Sequence, residues 1–139
     1  LGTAIARAHQ FLTFASAAPL QWAVAEGLAL PDAVLADQRD GWAAARARLR
    51  AGLEDAGFVV LTNAATWFLC IDLAASGVAL TDRAFSERAV VEAGVATVPV
   101  GALYESEGAP DRIVRLCFTK PDAVLDEAVA RLSAWRAGL

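Results

Sequence analysis

The stretch Arg112-Ile113-Val114-Arg115-Leu116-Cys117-Phe118-Thr119-Lys120-Pro121-Asp122-Ala123-Val124-Leu125-Asp126-Glu127-Ala128-Val129-Ala130-Arg131-Leu132 changes its period midway. Up to Phe118 it reads as an apolar strand, in which alternate side chains share a face. Thr119 is then placed as a helix N-cap, with Pro121 in the first turn and Asp122 three positions on. Val124, Leu125, Ala128, Leu132 and Trp135 follow at helical spacing and predict the buried stripe of a closing helix. A strand running straight into a helix makes the end of the chain mixed in class.

Working outward, the residues before it supply the rest of the domain. Pro99 to Asp111 is rich in glycine, proline and acidic residues and reads as a loop. Val95 to Val98 reads as a short strand. Asp82 to Ala93 reads as a helix bearing Phe85 and Val90 and closed by Gly94. Phe58 to Leu61 and Trp67 to Leu73 are apolar runs separated by the turn at Asn63 to Ala65, as in a largely covered sheet. Three helices come first. One spans residues 2 to about 15. A second starts at Pro19, carries Leu20, Val24 and Leu28 on one side, and ends near Gly27 and Pro31. A third runs from Asp32 to about Ala56 with Leu35, Trp42, Ala45, Leu49 and Leu53 as its stripe and Arg46, Arg48 and Arg50 off it. The expectation is one α+β domain, a short sheet covered by helices, with a long N-terminal helical segment.

Composition narrows the function classes. The chain has 139 residues, enough for one domain with a sizeable core. Its mean hydropathy of +0.44 invites a search for membrane spans. The longest apolar stretch, Phe11 to Leu30, is interrupted by Pro19, Gln21, Glu26 and Gly27, so a span is not expected. Excess apolar surface could instead face another domain or subunit. The net charge of −4 and the lack of a basic run argue against a nucleic-acid partner. Cys70 and Cys117 lie in apolar runs and read as reduced core thiols of a cytoplasmic protein, with a disulfide or a reactive thiol as alternatives. They and His9 lack metal-site spacing. The sequence starts at Leu1, has no methionine and enters a helix pattern at once. The expectation is a piece of a longer chain.

Arg115 is the residue that most needs a partner. It shares a strand face with Ile113 and Cys117, cannot lose its charge, and has a fork that matches a carboxylate bidentately. A bound ligand, the internal carboxylate Asp72, or solvent at an edge could each satisfy it. Lys120, the single lysine, sits at a strand-to-helix junction and reads as a solvated surface residue rather than a Schiff-base former. His9 reads as a packing or helix-end residue. Ser16, Ser76, Ser86, Ser106 and Ser133 lie in no nucleophile-elbow pattern. Gly94 and Gly101 are single turn glycines, and Tyr104 is either a loop anchor or a substrate contact.

These residues, in order, resemble the small domain of fold-type I (class I/II) aminotransferases that use pyridoxal 5′-phosphate. Arg112 to Leu132 resembles the family's closing strand and helix, Gly94 to Tyr104 its preceding strand and loop, and Ala56 to Asp72 its glycine–phenylalanine and tyrosine–phenylalanine strands. Gly101, Leu103 and Trp67 stand where serine, phenylalanine and tyrosine are common. His9 to Phe14 and Pro19 to Ala25 are similar to the segment after the cofactor lysine in the kynurenine/glutamine/methionine branch. The resemblance implies a C-terminal fragment, residues 1–139, of a homodimeric enzyme exchanging an amino group between an L-amino acid and a 2-oxo acid. It implies that Arg115 binds the substrate α-carboxylate and that Phe14 reaches the partner subunit's site. Pyridoxal phosphate and its lysine would belong to a large domain outside this chain, so the fragment alone would be inactive. Elimination on cysteine S-conjugates by the same scaffold, or a free-standing non-catalytic interaction module, are the alternatives.

Overall fold

The computed structural model describes residues 2–105 and 107–139; Leu1 and Ser106 lie outside them. The chain divides into two compact units, one ending at Gln38 and one beginning at Arg39.

The N-terminal unit holds α1 (Gly2–Leu12), α2 (Ala18–Leu28) and the start of α3 (Asp32–Asp55). Pro19 lies in the first turn of α2, where its missing N–H has no helical partner to lose. At the end of α1 the His9 ring meets the Thr13 hydroxyl at 3.0 Å, as expected of a helix-end histidine. Phe14 lies between α1 and α2 with φ of +54°, a conformation unusual for a side chain of its bulk. Neither α1 nor α2 has a buried residue. Phe11, Leu12, Phe14, Trp22 and Leu28 all stand exposed, as on surfaces that meet another domain or chain.

The second unit carries a four-stranded antiparallel sheet, β1 (Val59–Val60), β2 (Phe68–Asp72), β3 (Val98–Pro99) and β4 (Ile113–Cys117), in the order β1-β2-β4-β3. Leu69, Ile71, Val114 and Leu116 point to one face and are buried with Leu49 and Leu53 of α3, Phe85 of α4 (Asp82–Arg88), and Leu125 and Leu132 of α5 (Asp122–Arg136). Phe85 sits at the centre, edge-on to Phe58 at 6.3 Å and to Trp135 at 5.0 Å. Such T-shaped pairs place the positive ring edge against a negative ring face. Helices thus cover one face of the sheet, and its other face is half-exposed.

Several local expectations are corrected. Thr119 does not cap α5; Pro121 precedes the helix without a side-chain cap, and the Thr119 hydroxyl lies 3.1 Å from the Cys117 sulfur instead. The segment read as strand Val95 to Val98 reaches β3 only at Val98, because Val95 N–H donates back to Ala89 C=O and closes a π turn over Ala89–Ala93. That wide turn rotates Val90 out to solvent. Gly94 takes the left-handed conformation, φ +68°, that ends it. Leu35, Trp42 and Val124 are exposed rather than buried. The arginines off the α3 stripe are used: Arg48 grips Asp126 of α5 bidentately at 2.7 and 2.8 Å, and Arg50 donates to the Leu61 carbonyl at 2.8 Å.

Arg136 is a fastener that periodicity did not reveal. It donates to Ala56 C=O at 2.7 Å and to Ser76 C=O, and lies over the Phe58 ring at 4.9 Å. A Cβ on Gly57, whose φ is +83°, would collide with the guanidinium. Arg136→Gln is therefore expected to cost about 2 kcal/mol, the scale of charged hydrogen bonds lost with their acceptors left half-buried. Faster amide exchange across β1 and β2 is the readout; unchanged exchange would count against the assignment.

Glu92 titrates far from the ordinary carboxyl range. Hydrogen bonds from Arg88 and then from the Trp135 indole hold its pKa at about 2 against 4.5. A depressed folded-state value contributes stability that is fully present above about pH 4.5 and lost as pH falls toward 2. The gap in melting temperature between wild type and Glu92→Gln should be constant above about pH 5 and close toward pH 2. A gap that widens on acidification would contradict this.

Candidate functional site on the open face of the sheet

The half-exposed face is built by β2, β4 and β3. Because side chains alternate, Phe68, Cys70 and Asp72 of β2 and Ile113, Arg115 and Cys117 of β4 share it. Arg115 is flanked by Cys70 on one side and Val98 on the other. Pairing on both sides places it at the middle of the sheet.

Its surroundings are mostly apolar. The guanidinium carbon lies over the Phe68 ring, 4.0 Å from the centroid. The Arg115 Nε is buried and has no hydrogen-bond acceptor among the described residues. Asp72, the internal partner considered from the sequence, does not supply one: its carboxylate accepts the Ala75 N–H at 2.9 Å and caps the turn after β2. A charge that cannot be neutralised and forms no ion pair among the described residues is the feature expected of an anion-binding residue.

The cysteines are free and half-exposed on this face, which corrects the expectation of core thiols. Burial pushes the Cys70 thiol pKa up, with the Arg115 charge pulling the other way. Since burial wins, Cys70 is the neutral thiol at neutral pH and a poor nucleophile. Lys120 is exposed at the β4–α5 junction. Tyr104 is exposed and donates its backbone N–H to Gly101 C=O at 3.2 Å. Phe14 belongs to the N-terminal unit and is exposed there.

Two contributors escaped the sequence reading. Phe68 looked like one more strand apolar; only the β2–β4 register puts it under Arg115. Asp82 looked like an ordinary first-turn acid, yet it is buried. Its carboxylate accepts N–H groups from Arg83 and Gly101, both at 2.7 Å, and its own N–H reaches Asp111 C=O at 2.6 Å. It thereby ties both ends of the loop that joins β3 to β4. Gly101 is needed there, since a Cβ would come within 2.7 Å of Pro110 C=O and 2.9 Å of Asp82 Oδ2. No periodic signal marks either contact.

This arrangement can bind and orient an anion. No cluster of His, Cys, Asp and Glu fit for a metal occurs among the described residues. No helix among them is long and apolar enough to cross a membrane.

The fold and this face define an α+β domain that presents Arg115, its buried Nε without an acceptor among the described residues, from the centre of an antiparallel sheet. A family model, aminotransferase class I and II, matches residues 3–132, and the chain belongs to that family. It is 36% identical over 134 residues to a probable N-succinyldiaminopimelate aminotransferase of Mycobacterium tuberculosis, spanning 91% of this chain and 34% of the relative. It is 33% identical over 129 residues to methionine aminotransferase of Escherichia coli, spanning 92% and 33%. The solved structure of the Mycobacterium tuberculosis N-succinyldiaminopimelate aminotransferase superposes with a TM-score of 0.81 at 38% identity, over 90% of this chain and 32% of that one. The chain thus spans about a third of the length of the curated relatives it matches.

Proposed function

We propose that this chain is the C-terminal small domain of an aminotransferase that exchanges an amino group between an L-amino acid and a 2-oxo acid, with Arg115 gripping the substrate carboxylate. The observation that carries the reading is Arg115 at the centre of the half-exposed sheet face, its buried Nε without an acceptor among the described residues. Both substrates bear a carboxylate next to the reacting carbon, so one arginine serves both halves of the exchange. Two parallel N–H···O bonds would fix the position and the rotation of that group. Holding the reacting carbon in place in this way removes orientational freedom before reaction.

Pyridoxal 5′-phosphate, which the family implies, would be held by a large domain outside these residues. The exposed apolar surface of α1 and α2 supports a role in covering other parts of the assembly, and we assign its neighbours to the large domain and to the second subunit of a homodimer. Phe14 then contributes to the partner subunit's substrate site. The enzyme is placed in the cytoplasm, consistent with free cysteines.

The test is amino transfer by the full-length enzyme, supplied with pyridoxal phosphate, each of the standard L-amino acids and a 2-oxo acid acceptor. Formation of the amino acid derived from the acceptor is expected. Release of ammonia and pyruvate from a cysteine S-conjugate, with no amino transfer to any acceptor, would sink the reading.

A further inference from the structure

Phe68 has no charge and no side-chain donor or acceptor, yet its ring is what the Arg115 guanidinium meets. We propose that Phe68 is a positioning residue for Arg115: its ring holds the guanidinium by a cation–π contact and leaves the N–H donors free for a carboxylate. The inference rests on the reading of Arg115 as the substrate-carboxylate residue and adds how that residue is kept in place.

The register dictates the contact. Phe68 pairs with Cys117, and Cys70 pairs with Arg115, so Phe68 and Arg115 are diagonal neighbours on one face. Diagonal Cα atoms lie roughly 7–8 Å apart, a gap that an aromatic ring and a long arginine can close. The observed 4.0 Å from guanidinium carbon to ring centroid is well inside cation–π range. Both residues lie on the two central strands of the sheet, so neither backbone is free to drift.

An arginine that must wait for a ligand faces a conflict. A protein carboxylate would hold it firmly but would occupy its fork and cancel its charge. Free in solvent, it would sample many rotamers, and binding would have to order it. An aromatic face resolves this, because it attracts the cation without accepting its in-plane N–H groups. The neighbouring groups on the face do not hold the fork: Asp72 accepts the Ala75 N–H and makes no hydrogen bond to Arg115 among the described residues, and Cys70 is a neutral thiol. With its position held over the ring, the fork can meet a planar two-oxygen anion.

The experiment uses full-length enzyme carrying Phe68→Leu, Phe68→Tyr, Arg115→Gln, or Phe68→Leu with Arg115→Gln. The donor is the best of the standard L-amino acids for wild type. KM and kcat are measured, together with calorimetric binding of the same donor's des-amino carboxylate. Phe68→Leu should raise KM and the carboxylate Kd about tenfold with kcat within about twofold, and Phe68→Tyr, which keeps the ring, should restore both. In the Arg115→Gln background Phe68→Leu should add nothing further. Phe68→Ile, whose β-branch suits a strand, replaces Phe68→Leu if that variant fails to fold. If Arg115→Gln weakens carboxylate binding while both ring-less variants bind normally, or if Phe68→Leu is equally harmful in the Arg115→Gln background, the positioning role is wrong and the carboxylate role stands. If Arg115→Gln binds and turns over normally, or wild type has no donor, both fall.

Discussion

Arg115→Gln in the full-length enzyme is expected to lower kcat/KM for the amino donor by about 10²- to 10³-fold, the scale of truncating one partner of a buried hydrogen-bonded charge pair. The substitution keeps a polar side chain but shortens it and removes the charge and the fork. The loss falls on both half-reactions, because amino and oxo acids share the carboxylate. Arg115→Lys should fall between wild type and Arg115→Gln, since an ammonium restores charge without two-point geometry. The visible absorbance of bound cofactor should be unchanged, as the substitution lies outside the residues that would hold it. A kcat/KM within about threefold of wild type for Arg115→Gln would place the carboxylate grip elsewhere.

The second large effect is on the fold. Phe85→Ala is expected to cost about 3–5 kcal/mol, as for phenylalanine truncations in well-packed cores. Phe85 is fully buried and holds both Phe58, just before β1, and Trp135 at the end of α5. Its removal opens a cavity between three elements that cannot all move in to fill it. Against a typical stability of about 5–15 kcal/mol, this brings the sheet unit close to unfolding. A shift in the urea midpoint, with faster exchange of the β2 and β4 amides, is the measurement. A destabilisation below about 1 kcal/mol would mean that Phe85 is not the keystone its contacts imply.

Both effects trace to features of unequal visibility in the sequence. Phe85 was legible as the apolar residue of a helix with clear ends. Arg115 was legible as a charge within an apolar strand. The α+β class and the order of elements followed from the shift between periods of 2 and 3.6, which are set by backbone geometry and need no tertiary contact. Thr119 failed as a cap and Val90 faces solvent because helix ends and helix width are settled by neighbours. The Cys117 thiol took the threonine hydroxyl, and the bond from Val95 to Ala89 widened the last turn of the helix. Asp82 was silent because its partners, Gly101 and Asp111, are far along the chain.

What the sequence by itself determined is that Arg115 shares a strand face with Ile113 and Cys117, and that the chain belongs with the class I and II aminotransferases. Alternation assigns side chains to two faces. It cannot say which face the helices will cover, because that depends on how β2, β4 and α5 meet in space. The tertiary structure decided that Val114 and Leu116 go inward and Arg115 stays on the half-exposed face. It also committed Asp72 to a turn and slid Phe68 beneath the guanidinium through the antiparallel register. Charge and period are properties of the chain, whereas an arginine's partner is a property of the pairing between strands.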